Sequence, residues 1–287
     1  MDINGYIDNW WKGKSGRNLE DYKRFHKSII SRTIPEEDYE GFFNDLEDCK
    51  FDLSKTRKLI PIRSIFKGTK IEDYVANNYL SQCFKVTVKQ PSNGAGEFLL
   101  AANFKNIKFG STCDLLIDNH RVEVKGEDAK LGDFASKFKQ MDSSLEFTIN
   151  KHFNEHWNIK NFNKDVMGAI LHKIFSNVDN LEHIKFLGNV LQNTKSHDSS
   201  ITAGFVKLFR TYVKSTENIE EFKRCICAIH LYNYCRTKNC GYIIFVNNND
   251  MVLFKSPRSA EDYFNITNYL KIGSWENGRG GITITLK

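Results

Sequence analysis

The sequence predicts a mixed α/β fold, in which one sheet is assembled from the middle and the far end of the chain with helices between them. Short apolar segments typical of strands occur around residues 113–125 and again after residue 241. Residues 150–235 instead show helical periodicity. The chain has 287 residues, of which 40% are hydrophobic and 26% are charged, so it can form a core of its own.

The first part of the chain, residues 1–60, is predicted to be a helical segment. One amphipathic helix is expected near Leu19–Ser31. A second is expected to begin at Pro35, because proline is favoured at the first helical position and the acidic residues 36–38 suit the positive end of the helix dipole. Trp10 and Trp11 are expected in the core, with stacking on nucleic-acid bases as the alternative.

Residues 61–287 are predicted to form one α/β domain that carries a helical insertion at about 150–235. A glycine pair, Gly94 and Gly96, separates its first strand from a short Leu- and Ala-rich helix. The predicted elements are helices at Ile71–Leu80 and Glu97–Asn103, and strands at Phe84–Val88, Cys113–Ile117, Arg121–Lys125, Gly241–Val246, Met251–Phe254 and Gly281–Leu286.

The charge and the cysteine content set limits on partners and location. Lys and Arg total 41 against 35 Asp and Glu, a net charge of +6 that permits nucleic-acid binding without establishing it. No apolar run approaches the ~20 residues that a membrane span needs, so no membrane is expected. The 7 cysteines form no dense framework, which favours a reducing, cytoplasmic compartment.

The clearest concentration of charge is a basic segment between residues 50 and 70, in which Asp52 is the only acid. We expect Lys55, Arg57, Lys58 and Arg63 to contact nucleic-acid phosphates, and an ordinary solvated surface is the alternative.

The residues that indicate chemistry lie on the predicted hairpin. Asp114 begins the first strand, and Glu123 and Lys125 occupy alternate positions of the second, so the last two side chains point the same way. A short turn between the strands brings all three residues together. Carboxylates suit Mg²⁺, which keeps several of its waters and needs few protein ligands. The same acid-x-Lys spacing recurs elsewhere, for example at Asp21 and Lys23, but only here does it follow an apolar strand.

These residues resemble the PD-(D/E)xK nuclease superfamily, with Asp114 as the first acid and Glu123 and Lys125 as the second acid and the lysine. Cys113 stands where the pattern has a proline. Upstream, Gly94-Ala-Gly96-Glu97 extends the resemblance to nucleases encoded by tailed phages, and downstream the match continues to Lys130-Leu131-Gly132. Together the matched residues cover roughly 70–132.

The resemblance implies a restriction-endonuclease-like central mixed sheet flanked by helices. It also implies a metal-dependent endonuclease that hydrolyses double-stranded DNA in a bacterial or phage-infected cytoplasm. Asp114, Glu123 and Glu97 would hold Mg²⁺, with Mn²⁺ able to substitute, and Lys125 would serve the attacking water. Lys130 is a further candidate for DNA contact. Glu72 and Asp73 compete with Glu97 for its role, and a helix N-cap is the plain alternative for Glu97.

Restriction, homing and phage recombination nucleases are all compatible with this pattern, and a homodimer is one arrangement that would cut both strands. Two other functions remain open. The first is a catalytically degenerate nuclease fold that binds DNA or serves in a phage particle. The second is a helical nucleic-acid binder in which the hairpin is incidental.

Two further clusters of histidine and cysteine residues lack the spacing of known metal sites. His152 and His156 do not meet the zinc-protease spacing. The cysteines around residues 225–240, with His230, lack the paired spacing of structural zinc and are expected in the core.

Overall fold

A computed structural model describes residues 2–14, 16, 18–66, 72, 78–86, 94–127, 129–131, 219–257, 260–276 and 281–287. His152, His156 and most of the predicted insertion lie outside the described residues. The chain divides into two compact units: residues 1–127, 238–256 and 286 form the first, and residues 128–237, 257–285 and 287 form the second. None of the described helices is long and apolar enough to cross a membrane.

The elements are numbered here in chain order. The described helices are α1 (Ile3–Trp11), α2 (Leu19–Thr33), α3 (Tyr39–Asp48), α4 (Tyr79–Phe84), α5 (Ala95–Asn103), α6 (Ile219–Lys238) and α7 (Ala260–Ile266), with 3-10 turns at Glu36–Asp38, Ile62–Phe66 and Thr267–Tyr269. The described strands are β1 (Leu59–Pro61), β2 (Ile107–Phe109), β3 (Leu115–Ile117), β4 (His120–Lys125), β5 (Ala129–Leu131), β6 (Tyr242–Val246), β7 (Asp250–Lys255), β8 (Leu270–Glu276) and β9 (Gly281–Leu286).

The first unit contains a mixed sheet of six described strands in the order β1-β7-β6-β4-β3-β2. β4 and β6 run parallel, and the other neighbouring pairs are antiparallel. The predicted mixed α/β architecture, with a sheet drawn from both the middle and the far end of the chain, is therefore confirmed. The late strand β9 does form, but it pairs in a separate sheet of the second unit, in the order β5-β9-β8.

The N-terminal helices form a layer that packs on the first unit's core. Both predicted helices exist, and α1 precedes them with Asp2 as its N-cap, whose carboxylate accepts a hydrogen bond from Gly5 N at 2.9 Å. Trp10 and Trp11 are buried, as predicted for core residues. The Trp11 ring stacks on Phe98 of α5 and Phe109 of β2, with centroids 6.1 and 6.2 Å apart.

Lys14 joins the end of α1 to α5. Its buried Nζ donates to the carbonyl oxygens of Ala101, at 2.9 Å, and Phe104. These carbonyls lie at the C-terminal end of α5, where a cation is favoured by the helix dipole. Burial lowers the pKa of Lys14 to about 7. The N-terminal layer thus holds α5 from its C-terminal end.

The predicted helix at Ile71–Leu80 is interrupted at Asn78, and the predicted strand at Phe84–Val88 does not begin at Phe84. Asn78 has a left-handed backbone, with φ 74°, so the helix begins at Tyr79 and does not run unbroken from residue 71. Phe84 ends this helix and does not begin a strand. Tyr79, Leu80 and Cys83 are buried at helical spacing, and this pattern overrides the short alternation after Phe84. Residues 87–93 lie outside the described part.

A buried histidine ties three of these helices together. Trp11 Nε1 donates to His26 Nδ1 at 3.1 Å, which leaves the ring proton on Nε2, 2.8 Å from the Tyr79 hydroxyl. Aromatic rings of Phe43 and Phe98 surround the imidazole. Burial, with a small contribution from the charge of Lys14, lowers the pKa of His26 to about 3. The neutral ring is therefore part of the folded state.

We expect His26 to make a contribution to stability that is lost in mild acid. Its folded pKa is depressed to about 3, so the unfolded chain binds the additional proton and stability is lost as pH falls below about 6.5. Between pH 7 and pH 5 this loss should be about 2 kcal/mol. Urea denaturation at both pH values, with H26F as the reference, measures it. Equal pH dependence in the two proteins would contradict this interpretation.

The N-terminal end of α5 lies unusually close to the sheet. A Cβ on Gly96 would lie 2.7 Å from Val246 Cγ1 and 3.1 Å from Val124 Cγ1. Only glycine allows this approach without displacing the valines. The contact sets α5 against the parallel strands β4 and β6 at the point where they end.

The variant G96A should destabilise the protein, by about 1–3 kcal/mol, because the added methyl group overpacks the contact. The second change V246A removes the closer obstacle, at 2.7 Å, so the double variant should lose less than the sum of the two single losses. Denaturant unfolding of the four proteins completes this cycle. Strict additivity would mean that the two residues do not meet as described.

Candidate functional site

Asp114 lies directly before β3 and is linked to β4 through its side chain. Its Oδ2 accepts a hydrogen bond from Val124 N at 2.9 Å. The hairpin that brings the two strands together has a two-residue turn, in which Asp118 and Asn119 both have positive φ, 48° and 65°. Turns of this kind match the twist of a hairpin and favour Asn and Asp. The sequence therefore places Asp114 beside β4 through local chemistry.

Glu123 and Lys125 occupy alternate positions of β4, as predicted. Lys125 Nζ lies 2.8 Å from Glu123 Oε1, and both side chains are buried, with Glu123 1% exposed. β4 is an inner strand with β3 on one side and β6 on the other. Main-chain hydrogen bonds on both sides hold these residues in a rigid part of the sheet.

Glu97 is in the first turn of α5, and its carboxylate folds back over the helix N-cap. A Cβ on Gly94 would lie 2.8 Å from Glu97 Oε2. The backbone N–H groups of Gly94 and Glu97 hydrogen-bond this carboxylate and lower its pKa, but burial outweighs them, so the pKa of Glu97 is raised. The charges of Lys125 and Glu123 also act on it. Glu97 is therefore both the cap and a member of the cluster.

The four residues form one acidic cluster with a single ammonium group. Burial is the main reason that the pKa of Asp114 rises to about 8. The negative charges of Glu123 and Glu97 act in the same direction, as does the hydrogen bond that the protonated Asp114 carboxyl donates to Glu123. Lys125 opposes them. The cluster thus holds more carboxyl groups than one lysine can neutralise, which favours an added cation.

The carboxylate oxygens of the cluster are the kind of ligand that a hard cation prefers, although several of them already contact other protein groups. Among the described residues, no group of three or more His, Cys, Asp or Glu side chains is arranged to hold a metal ion. Glu123 Oε1 contacts Lys125, and Asp114 Oδ2 contacts the β4 backbone. Mg²⁺ needs only one or two carboxylates besides water and substrate oxygens, and Asp114 with Glu123 could supply them.

The competing candidates are placed differently. Glu72 is exposed, and Asp73 lies outside the described residues. Glu97 is the helical acid whose charge acts on Asp114. Cys225, Cys227 and Cys235 are buried in α6, as expected of core cysteines.

Cys240 is buried, as expected of a core cysteine, but sequence reasoning missed its contact with Glu123. Its Sγ lies 3.8 Å from Glu123 Oε2, and the side chain is 7% exposed. Cys240 comes two positions before β6, which pairs in parallel with β4, with Glu123 opposite Ile243. The contact joins residues 117 positions apart. No local pattern in the sequence predicts it.

The basic segment is exposed in the first unit. Lys55, Arg57, Lys58 and Arg63 are all exposed. They flank the edge strand β1, in which Leu59 is 47% exposed. The fifth candidate, Lys130, lies on β5 of the second sheet.

The sheet register relates β1 to the acidic cluster. Leu59 pairs with Val252 on β7, and Val252 pairs with Phe245 on β6. Phe245 in turn pairs with Lys125. Leu59 and Lys125 therefore lie in one cross-strand row, about 14 Å apart at the usual spacing between strands. Arg57 and Lys58 immediately precede this row in the sequence.

No protein-family profile, curated protein or solved structure matches this chain. The functional interpretation rests on the geometry of the acidic cluster itself.

Proposed function

We propose that the protein is a metal-dependent DNA endonuclease with a restriction-endonuclease-like fold, similar to the PD-(D/E)xK nucleases. The observation that carries this proposal is the acidic cluster: Asp114 before β3, Glu123 and Lys125 on β4, and Glu97 at the start of α5. The cluster lies on a hairpin within a mixed sheet. These are the residues that carry the resemblance to the PD-(D/E)xK pattern in the sequence.

Mg²⁺ bound at Asp114 and Glu123 would polarise the scissile phosphodiester and lower the pKa of a bound water. Lys125 lies against Glu123 at 2.8 Å, where its ammonium group can orient the attacking water and stabilise the negative charge that develops on the phosphate. Glu97 completes the cluster from the helix side.

The substrate we propose is double-stranded DNA. The exposed basic segment at Lys55, Arg57, Lys58 and Arg63 belongs to the same unit as the cluster and is separated from it by two intervening strands. Phosphate contacts from such residues position a duplex and carry no sequence information. We therefore assign binding to this segment and hydrolysis to the cluster.

Supercoiled plasmid incubated with Mg²⁺ or Mn²⁺ should be nicked or linearised by the protein. The variants D114A and K125A should each reduce the rate by at least about 100-fold, because D114A removes a proposed metal ligand and K125A removes the ammonium group that stabilises the developing charge. Gel electrophoresis of the plasmid measures both effects.

The control for this experiment is K23A. Asp21 and Lys23 have the same acid-x-Lys spacing, but they lie on α2 and Lys23 pairs with the exposed residues Asp8 and Glu20. K23A should cleave like the wild type. Cleavage that survives D114A and K125A would exclude this cluster as the nuclease site.

A catalytically degenerate DNA-binding protein on the same fold is the second candidate. Two observations favour this second function. The described residues contain no group of three or more His, Cys, Asp or Glu side chains arranged to hold a metal ion, and Glu123 is paired with Lys125. This function predicts plasmid binding without cleavage and no shift of the melting temperature with Mn²⁺.

The variants G94A and G94S test the role of Glu97. Either Cβ would lie 2.8 Å from Glu97 Oε2 and displace the carboxylate, whereas the backbone at Gly94, with φ −79°, accepts both residues. Cleavage should fall about 10-fold to 100-fold, since small misplacements of a reacting group are costly. Serine is a good N-cap, so G94S should at least keep its stability.

The matched control is G126A, because nothing lies within 4 Å of a Cβ at Gly126, which directly follows Lys125. It should leave both cleavage and melting temperature unchanged. If G94S cleaves as fast as the wild type, Glu97 serves only as a helix cap.

A further inference from the structure

Cys240 is buried beside the acidic cluster and has no role in the mechanism above. Its Sγ lies 3.8 Å from Glu123 Oε2, within hydrogen-bond distance for a thiol. Of the two residues, Glu123 is 1% exposed and Cys240 is 7% exposed. A contact between buried polar groups of this kind is shielded from competing water, which strengthens it.

The thiol and the lysine ammonium contact different oxygens of the same carboxylate. Lys125 Nζ contacts Oε1 at 2.8 Å, from the same strand as Glu123. Cys240 approaches Oε2 from the segment that leads into β6. The Glu123 carboxylate is therefore held from two neighbouring strands.

We propose that Cys240 is a positioning residue that orients the Glu123 carboxylate for cation binding. The role in cation binding rests on the proposed function. The contact between Cys240 and Glu123 does not depend on it. Lys125 restrains Oε1 from the same strand as Glu123. The Cys240 S–H group adds a restraint on Oε2 from the segment that leads into β6.

A thiol suits this position because it is a neutral donor. A second cation at Oε2 would cancel the charge that attracts the metal ion, whereas an S–H group restrains the carboxylate and leaves its charge in place. An aliphatic side chain at position 240 would leave Oε2 buried without this donor, which is costly for a carboxylate.

Infrared spectroscopy tests the contact without any metal or activity. The difference spectrum between the wild type and C240A isolates the S–H stretching band of Cys240 from those of the other cysteines. Repeating the subtraction in an E123Q background replaces the charged acceptor with a neutral one, so the band should move toward the frequency of a weaker hydrogen bond. An unchanged band would overturn the proposal.

Titration calorimetry with Mn²⁺ tests the consequence. C240A should bind Mn²⁺ about 3-fold to 10-fold more weakly than the wild type, the effect expected from losing one modest hydrogen bond. The control is C49A, because Cys49 is a buried cysteine of the same unit with a similar exposed fraction, 8%, and lies at the end of α3. C49A should bind Mn²⁺ like the wild type.

The two experiments separate the two proposals. Equal Mn²⁺ affinity in C240A and the wild type would overturn the positioning role. A wild type that binds no Mn²⁺ would overturn the proposed nuclease function, and the infrared band would then decide alone whether Cys240 holds Glu123.

Discussion

The arrangement of the site depends on the close approach of α5 to the ends of β4 and β6. At Gly96 the helix lies so near Val246 and Val124 that a methyl group would not fit. The other end of α5 is held by Lys14, whose buried Nζ contacts the carbonyls of Ala101 and Phe104. A helix fixed at both ends presents its first turn to the sheet, and Glu97 is in that turn. The N-terminal layer therefore supports the cluster, although it contributes none of its four residues.

The cluster is an electrostatic compromise that the fold imposes. Burial penalises every charged form, yet three carboxyl groups are brought within reach of one another. The backbone N–H groups at the start of α5 stabilise Glu97, and Lys125 stabilises Glu123. Asp114 has Val124 N as a partner, and its pKa nevertheless rises to about 8. Replacing buried ion pairs with apolar groups is often neutral or stabilising, so stability alone does not explain why these groups are here.

The parts of this site that could be predicted from sequence are those that local chemistry determines. Asp118 and Asn119 make the tight turn, and the turn brings Asp114 beside β4. The glycines before Glu97 indicate the start of a helix. The close packing of Gly96 against Val246 could not be predicted, because Val246 lies on β6, far along the chain. The contact of Cys240 with Glu123 could not be predicted, because parallel pairing of β4 with β6 joins segments far apart in the sequence. The left-handed backbone at Asn78 was not predicted, because the apolar residues around it fit the pattern of one continuous helix.

The nuclease and the degenerate binding protein differ in how the cluster responds to a cation. The carboxyl groups of Asp114 and Glu123 hydrogen-bond each other, which requires a proton between them. Two carboxyl groups that share a hydrogen bond need a positive charge between or beside them once the proton is lost. Lys125 supplies one on Oε1 of Glu123, and the Asp114 side is left to the proton. In the proposed nuclease, Asp114 and Glu123 would hold a divalent ion in place of that proton, and the ion would supply the positive charge. For the proposed nuclease, the internal contacts are then the arrangement of the cluster before a cation binds.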